Sequence, residues 1–252
     1  MKVLVLILMI SVCQANAAQS CISDYMATDT IKISDECRFH YTQLILPVAM
    51  VTVGAVGTST NILDNVNNSI RDKFAGLRGA HYIKADDYIQ YLPVASYLGM
   101  GAIGVDCRHE FKERFAVGAT AYLAMGIMVN SIKYTVKAKR PDSNARNSFP
   151  SGHSATAFMG AELIRQEYGT PYAIGAYTLA AAVAILRIYN DRHWLNDVIA
   201  GAGIGILSAR IGYWLLPVYR KWFHWDKTVS TVLLPNINFA SNNIGINFIA
   251  DF

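Results

Sequence analysis

The chain has 252 residues, of which 53% are hydrophobic and only 16% charged, against roughly 25% charged in an average soluble domain. Its mean hydropathy is +0.25, and 22 Lys+Arg against 18 Asp+Glu leave a formal net charge of +4. This excludes a disordered chain, which lacks the apolar surface to offset chain entropy, a scaffold stapled by disulfides, for which four cysteines are too few, and a nucleic-acid binder, which needs a stronger and more clustered positive charge.

At the N-terminus, Lys2 is followed by the apolar run Val3 to Val12 and then by Ala15-Asn16-Ala17. A short apolar run ending in a small-x-small site reads as a secretory signal peptide over residues 1–17. The run is too short to span a bilayer. A lipid-attached Cys13 fits less well, because Val12 suits such a box poorly. Export places residues 18–40 in an oxidising compartment, where Cys21 and Cys37 are expected to pair. Two free thiols are the alternative, and Cys107 is left over.

Six apolar stretches follow. They are Tyr41 to Leu63, Tyr91 to Val105, Phe115 to Ile132, Ser154 to Ile164, Tyr168 to Leu186 and Val198 to Tyr219. Their lengths fit helices. Two of them carry a single charge, Glu162 and Arg210 respectively. The run Gly201-Ala202-Gly203-Ile204-Gly205 allows close approach of helices in a membrane. Asp64 to Gln90 is polar and reads as an amphipathic connector outside the apolar core. Near the C-terminus, Val229 to Asn238 and Asn243 to Phe252 alternate apolar and polar residues around Ala240-Ser241-Asn242-Asn243, a β-hairpin pattern. The expected architecture is all-α, a membrane-embedded helical bundle over residues 41–220, with a tail over 221–252 that carries a small hairpin.

Three short motifs lie between the apolar stretches. The first is Lys133, six residues, then Arg140-Pro141. The second is Pro150-Ser151-Gly152-His153. The third is Arg187, five residues, His193, three residues, Asp197. Lys133, Arg140 and Arg187 fall at helix ends, where three cations brought together hold a tetrahedral oxyanion; alone, each would read as a solvated or snorkelling end charge. Ser151 and Gly152 open a helix, whose N-terminal N–H groups bind phosphate, while Ser151 also suits a plain N-cap. His193 and Asp197 are four apart, so on one helix face the carboxylate can hold Nδ1 and leave Nε2 free. That is the arrangement of an activated histidine nucleophile; a surface His–Asp pair is the other reading.

Together the three motifs resemble the type 2 phosphatidic acid phosphatase family, which shares its fold and anion site with vanadium haloperoxidases. The family pattern is Lys-x6-Arg-Pro, Pro-Ser-Gly-His and Ser-Arg-x5-His-x3-Asp, and it occurs in order from Lys133 to Asp197, with Leu186 in place of the usual Ser. The resemblance implies that His193 attacks phosphorus, that Asp197 orients it and that His153 protonates the leaving oxygen. It also implies that Lys133, Arg140, Ser151, Gly152 and Arg187 hold the non-bridging oxygens. No metal or other cofactor is needed in such a site. Lys137, Lys139, Arg146 and Arg192 could meet a second phosphate or headgroup, or be solvated loop charges.

Arg-Asn-Ser-Phe-Pro-Ser-Gly-His and Tyr-Asn-Asp-Arg-His-Trp-Leu-Asn-Asp are similar to segments of exported bacterial lipid A phosphatases, the 4′-phosphatase subgroup above all. The expectation is a lipid phosphatase at a membrane, with a phosphorylated lipid as its partner. Phosphatidylglycerophosphate and undecaprenyl pyrophosphate are alternative substrates, and a soluble periplasmic acid phosphatase or a haloperoxidase are alternative readings. Basic residues at Arg108, Lys112, Arg114, Arg165, Arg220 and Lys221 mark the cytoplasmic side, so the motifs face the periplasm from the inner membrane. With a cleaved signal, only one crossing precedes Phe115. Tyr41 to Leu63, broken by Pro47, is then expected to lie against the bundle without spanning.

Overall fold

A computed structural model describes residues 39–79 and 81–225, together with the backbone of 231–238 and 243–250. The signal peptide and the Cys21–Cys37 pair fall outside the described residues. The chain divides into two compact units, 1–214 and 215–252. Among its described residues the first holds eight α-helices: α1 Thr42–Ser59, α2 Asp64–Arg78, α3 Asp86–Ile89, α4 Leu92–Gly99, α5 Phe111–Val136, α6 Gly152–Tyr168, α7 Thr170–Tyr189 and α8 Leu195–Trp214. The second holds α9, Leu216–Phe223, and two antiparallel strands, β1 Thr231–Asn238 and β2 Asn243–Ala250, with Thr231 opposite Ala250.

Among the described residues, four stretches are long and apolar enough to cross a membrane: Thr42–Ser59, Phe111–Val136, Thr170–Tyr189 and Leu195–Phe223. The chain is a membrane protein by this measure. Only 17% of the apolar window of α1 is buried within the bundle, against 67% for Leu195–Phe223. So α1 offers Ile45, Leu46, Val48, Val53 and Val56 outward, as a lipid-facing helix does, while α8 forms the core.

The first two apolar stretches differ in helix length from what the sequence suggests. Tyr91 to Val105 breaks into α4, of eight residues, and a 3₁₀ turn at Met100–Ile103. At 1.5 Å per residue such a helix is about 12 Å long, well short of the roughly 30 Å hydrocarbon core. By contrast α1 runs unbroken through Pro47. A proline inside a helix frees the carbonyl four residues back. Here that carbonyl belongs to Gln43, and it accepts a hydrogen bond from Arg210 Nη1 of α8. The lost backbone bond is thus replaced from a neighbouring helix, and the segment can span.

Arg210 has a second partner. Its Nε donates to Glu162 Oε1 at 2.9 Å, and Tyr177 Oη donates to Glu162 Oε2 at 2.5 Å. The lone charges of two apolar stretches therefore pair inside the bundle and join α6, α7 and α8, as buried charges must.

The glycines of α8 set its closest contacts. A Cβ at Gly201 would collide with the Ser151 carbonyl, and one at Gly205 with the Ala155 carbonyl and the Met159 N–H. Both face α6 and are four residues apart, one turn of a helix face. Gly203 faces the other way, where a Cβ would lie 2.7 Å from the Pro47 carbonyl of α1. The helices α1, α8 and α6 thus pack backbone to backbone.

At the end of the bundle away from the motifs, a polar network closes the core. His109 Nδ1 and Tyr213 Oη each lie 2.8 Å from Glu167 Oε2, and Arg114 Nη1 donates to Tyr168 Oη at 2.6 Å. Gly205→Ala is expected to cost about 1–3 kcal/mol, the usual range for overpacking, read as a lowered midpoint of thermal unfolding in detergent. Gly175→Ala, where a Cβ meets nothing within 4 Å, should leave that midpoint unchanged or raise it.

Candidate active site

Each motif starts or stops a helix, and all three meet at one end of the bundle. Lys133 lies in the last turn of α5, which ends at Lys137 in a left-handed conformation, φ 50°. Lys133 Nζ donates to the Asn147 carbonyl at 2.5 Å, and Arg140 Nε donates to Asn147 Oδ1 at 2.8 Å. One asparagine thus holds both cations of the first motif. The loop between them is closed by Arg140 N–H to Ala145 O and Ser148 N–H to Ala138 O, both 3.0 Å.

Ser151 caps α6. Its Oγ accepts from the Ser154 N–H at 3.4 Å and from the Ser154 hydroxyl at 3.0 Å. Its backbone N–H donates to the Asp197 carbonyl at 2.9 Å. The capping role is therefore real, and the Ser151 N–H is already engaged. Its hydroxyl, accepting twice, keeps its own proton for an acceptor. Gly152 is the first residue of α6.

His193 does not share a helix face with Asp197, contrary to the spacing argument. It sits in the turn 190–194, and α8 begins at Leu195. The turn bends at Asp191, φ 59°, a conformation that Asp tolerates better than most residues. It brings His193 Nδ1 to 3.4 Å from Asp197 Oδ2. This is longer than the usual ~2.7–3.2 Å bond; catalytic hydrogen bonds often tighten only when substrate binds. Asp197 Oδ2 also accepts from the Trp194 N–H at 3.0 Å and from the Ser148 hydroxyl. In the first turn of α8, it is favoured by the helix dipole as well. Asp197 and Ser148 are fully buried, and His193 is 3% exposed.

Electrostatics follow from that burial. Desolvation pushes the His193 imidazole down to about 4, against the upward pull of Asp197, and the charges of Arg187 and Lys133 lower it further. His193 is thus neutral at physiological pH, as a nucleophile must be. Both cations act on it, which places them around the same point. His153 is held below its ordinary value, first by burial and then by Arg187, with Asp87 and Asp86 opposing.

Arg187, in the last turn of α7, donates from Nη1 to Asp86 Oδ2 at 2.6 Å. Its Nε is buried and has no hydrogen-bond partner among the described residues. His153 Nε2 lies 2.9 Å from Asp87 Oδ1. One ligand atom each from Asp86, Asp87 and His153 falls within 4.8 Å of the others, a spacing that suits a cation. Protein groups already answer the two carboxylates: Arg187 and the Asn190 amide, 3.2 Å from Asp86 Oδ1, on one side, and His153 on the other.

The region 64–90, read as a connector, is a wall of this site. Arg71 of α2 forms a bidentate pair with Asp191, at 2.8 and 3.2 Å, and its Nη2 donates to the Pro141 carbonyl at 3.0 Å. Ile83 and Asn190 exchange two bonds, N–H to Oδ1 at 3.0 Å and Nδ2 to carbonyl at 2.7 Å. Arg78 Nη1 donates to the Tyr189 carbonyl at 2.7 Å. The loops that carry Pro141 and Asp191 are thereby pinned to α2 and to the segment after it. None of the three motifs contains Asn147, Ser148, Asn190, Asp86 or Asp87, although the first three fall within the two longer segments that carry the resemblance; an acidic pair just before an apolar stretch is a faint signal at most. Among the extra loop cations, Arg192 pairs with Asp142 at 3.0 Å. Lys137 and Arg146 line a cavity of about 360 Å³ with Asn130, Lys133, Tyr134 and Asn147.

Ser148→Ala removes a donor from a buried carboxylate. Hydrogen bonds to charged groups contribute ~1.5–3 kcal/mol, so turnover by the purified chain should fall about tenfold to a hundredfold if Asp197 must stay ionised and fixed. Steady-state kinetics on a phosphate monoester would check this.

Residues 115–221 match the family model described as PAP2 superfamily. A lipid A 1-phosphatase of Porphyromonas gingivalis is 41% identical over 156 residues, which cover 60% of this chain and 35% of that protein. The bacitracin transport permease protein BcrC of Bacillus licheniformis is 34% identical over 109 residues, 40% of this chain and 51% of that protein. The chain thus spans only about a third to a half of these curated relatives. Among solved structures, Aquifex aeolicus LpxE superposes with a TM-score of 0.43 at 22% identity, over 56% of this chain and 92% of that one. The transmembrane PAP2 type phosphatidylglycerolphosphate phosphatase of Bacillus subtilis gives 0.48 at 21% identity, over 70% and 96%. The matched family model encloses all three motifs.

Proposed function

We propose that this chain is a metal-independent phosphoric monoester hydrolase that removes a phosphate from a membrane lipid through a phosphohistidine at His193. The observation that carries the reading is the buried Ser148–Asp197–His193 chain, whose neutral imidazole feels both Lys133 and Arg187. Nε2 of His193 attacks phosphorus while Asp197 balances the charge that forms on the ring. Lys133, Arg140, Arg187, the Ser151 hydroxyl and the Gly152 N–H hold the non-bridging oxygens as charge builds on them. His153 protonates the leaving oxygen and then takes the proton of the attacking water.

Lipid A is the proposed substrate. The name of the 41% identical relative favours its 1-phosphate over the 4′-phosphate that the motif segments suggest. The cavity beside Lys133, with Lys137 and Arg146 on its wall, offers room for the rest of a phosphorylated sugar headgroup. The proposed location is the inner membrane with the site facing the periplasm. Support comes from Arg108 and Arg114, which bond the Gln166 carbonyl and the Tyr168 hydroxyl at the end of α6 away from His153. The signal peptide over 1–17, the 41–220 domain and the C-terminal hairpin belong to the same proposal.

Purified chain in detergent should release inorganic phosphate from lipid A, and an alkaline quench with labelled substrate should trap a phosphoenzyme. His193→Ala should abolish both in a chain that still shows a cooperative thermal unfolding transition. Phosphoenzyme surviving in His193→Ala would refute the nucleophile.

The pH profile has a predicted sign. His193 must be deprotonated, which holds above about 4. His153 must be protonated, which holds only below a value that lies under its ordinary 6.5. The kcat/KM profile should therefore be bell-shaped with an acidic optimum, its acid limb near 4 and its basic limb below 6.5.

A further inference from the structure

We propose that Asp87 is a positioning residue for proton transfer: its carboxylate holds Nε2 of His153 and leaves Nδ1 as the nitrogen that handles the proton, while its neighbour Asp86 fixes Arg187. The proposal rests on the phosphatase reading above and deepens it.

The geometry is specific. Asp86 and Asp87 open α3, a single helical turn that is 1% and about half exposed at the two positions respectively. Asp86 has both oxygens engaged, Oδ2 with Arg187 Nη1 at 2.6 Å and Oδ1 with Asn190 Nδ2 at 3.2 Å. A planar guanidinium anchored at one nitrogen is fixed in direction, and its buried Nε is left for a further acceptor. Asp87 Oδ1 reaches two groups, His153 Nε2 at 2.9 Å and Arg187 Nη1 at 3.4 Å. One acidic pair thus touches the proposed proton donor and a proposed phosphate cation. Neither aspartate belongs to the three motifs.

An imidazole has two nitrogens, and an acceptor on one fixes the tautomer at the other. With Nε2–H donated to Asp87, protonated His153 carries its transferable proton on Nδ1. When the His193 Nε2–phosphorus bond forms, the phosphorus–oxygen bond to the leaving group breaks. The leaving oxygen keeps that electron pair and takes the Nδ1 proton. In the second step water oxygen bonds phosphorus, the phosphorus–nitrogen bond breaks and its pair returns to His193. The water proton goes back to Nδ1. The Nε2 proton stays with the Asp87 pair throughout. The charged groups facing His153 are Asp87 and Asp86 of α3, which favour the imidazolium, and Arg187 of α7, which opposes it. Without Asp87, burial and Arg187 act almost unopposed.

The test uses the full chain in detergent, with an alkyl phosphate lipid and p-nitrophenyl phosphate as substrates. The alkyl ester needs its leaving oxygen protonated; the nitrophenolate leaves largely unaided. Asp87→Asn is expected to lower kcat on the alkyl ester by about tenfold or more, with KM within twofold, and to cost much less on the nitrophenyl ester. Its basic limb should move to lower pH. Asp87→Glu should restore most of the rate. Independently of turnover, the ¹⁵N-labelled imidazole of His153, assigned by its loss in His153→Gln, should titrate at lower pH in Asp87→Asn. An unmoved imidazole titration, or an equal loss on both esters with an unmoved limb, overturns the proposal. So does a fall in KM with kcat unchanged, which would mean that Asp87 competes with phosphate. If the unaltered chain hydrolyses neither ester while the titration still moves, the phosphatase reading fails, and the catalytic role of the pair with it.

Discussion

The bond from the Ser151 N–H to the Asp197 carbonyl, 2.9 Å, is the constraint on which the site depends. It joins the N-terminus of α6 to the first turn of α8, so the second motif and the end of the third share one point. It forms only because Gly201 allows the Ser151 carbonyl against α8, where any Cβ would collide. One turn further on, Gly205 does the same against Ala155 and Met159. Small residues thus do more than let helices associate. They fix how the two helices are offset, and with that how His153 lies relative to the His193–Asp197 pair.

Cations gather around this join, and each is met by a protein group. Lys133, Arg140 and Arg187 would repel one another in a dry site without partners. The chain answers each before any substrate arrives: Lys133 and Arg140 through Asn147, and Arg187 through Asp86. These contacts leave capacity for an anion, since Asn147 is neutral and Arg187 keeps its Nε free of partners among the described residues. Elsewhere the same rule holds. Glu162 meets both Arg165 and Arg210, and Arg210 also bonds the carbonyl that Pro47 frees in α1. One arginine therefore settles both an intramembrane charge and a helix that sequence alone marks as broken.

The region between α1 and α4 shows why a polar segment is easily misread. Its residues are mostly exposed, and its pattern is that of a connector. Yet Arg71, Ile83 and Asp86 each reach the turn after α7, Arg78 reaches the last residue of α7, and Arg71 also reaches Pro141. Polar bonds to backbone carbonyls and to one aspartate in a left-handed turn have no periodicity, so no pattern in the sequence announces them. They nonetheless hold the loop that carries His193.

What the sequence determined by itself is local and chemical. Long charge-free stretches require helices in an apolar setting, because backbone groups there must bond within their own segment. Residue types at fixed spacing select an anion site with a histidine and a carboxylate, and Ser151 before Gly152 selects a helix start. The tertiary structure decided what depends on distant partners. The pairing of His193 with Asp197 comes from a turn and not from a helix face. The carbonyl that Pro47 frees in Thr42–Ser59 is met by Arg210, more than 150 residues away. The partners of His153 and Arg187 come from a short helix about 65 and 100 residues earlier in the chain. Spacing along a chain encodes geometry only within one regular element; across elements, geometry is set by which backbones can touch and which buried charges must be met.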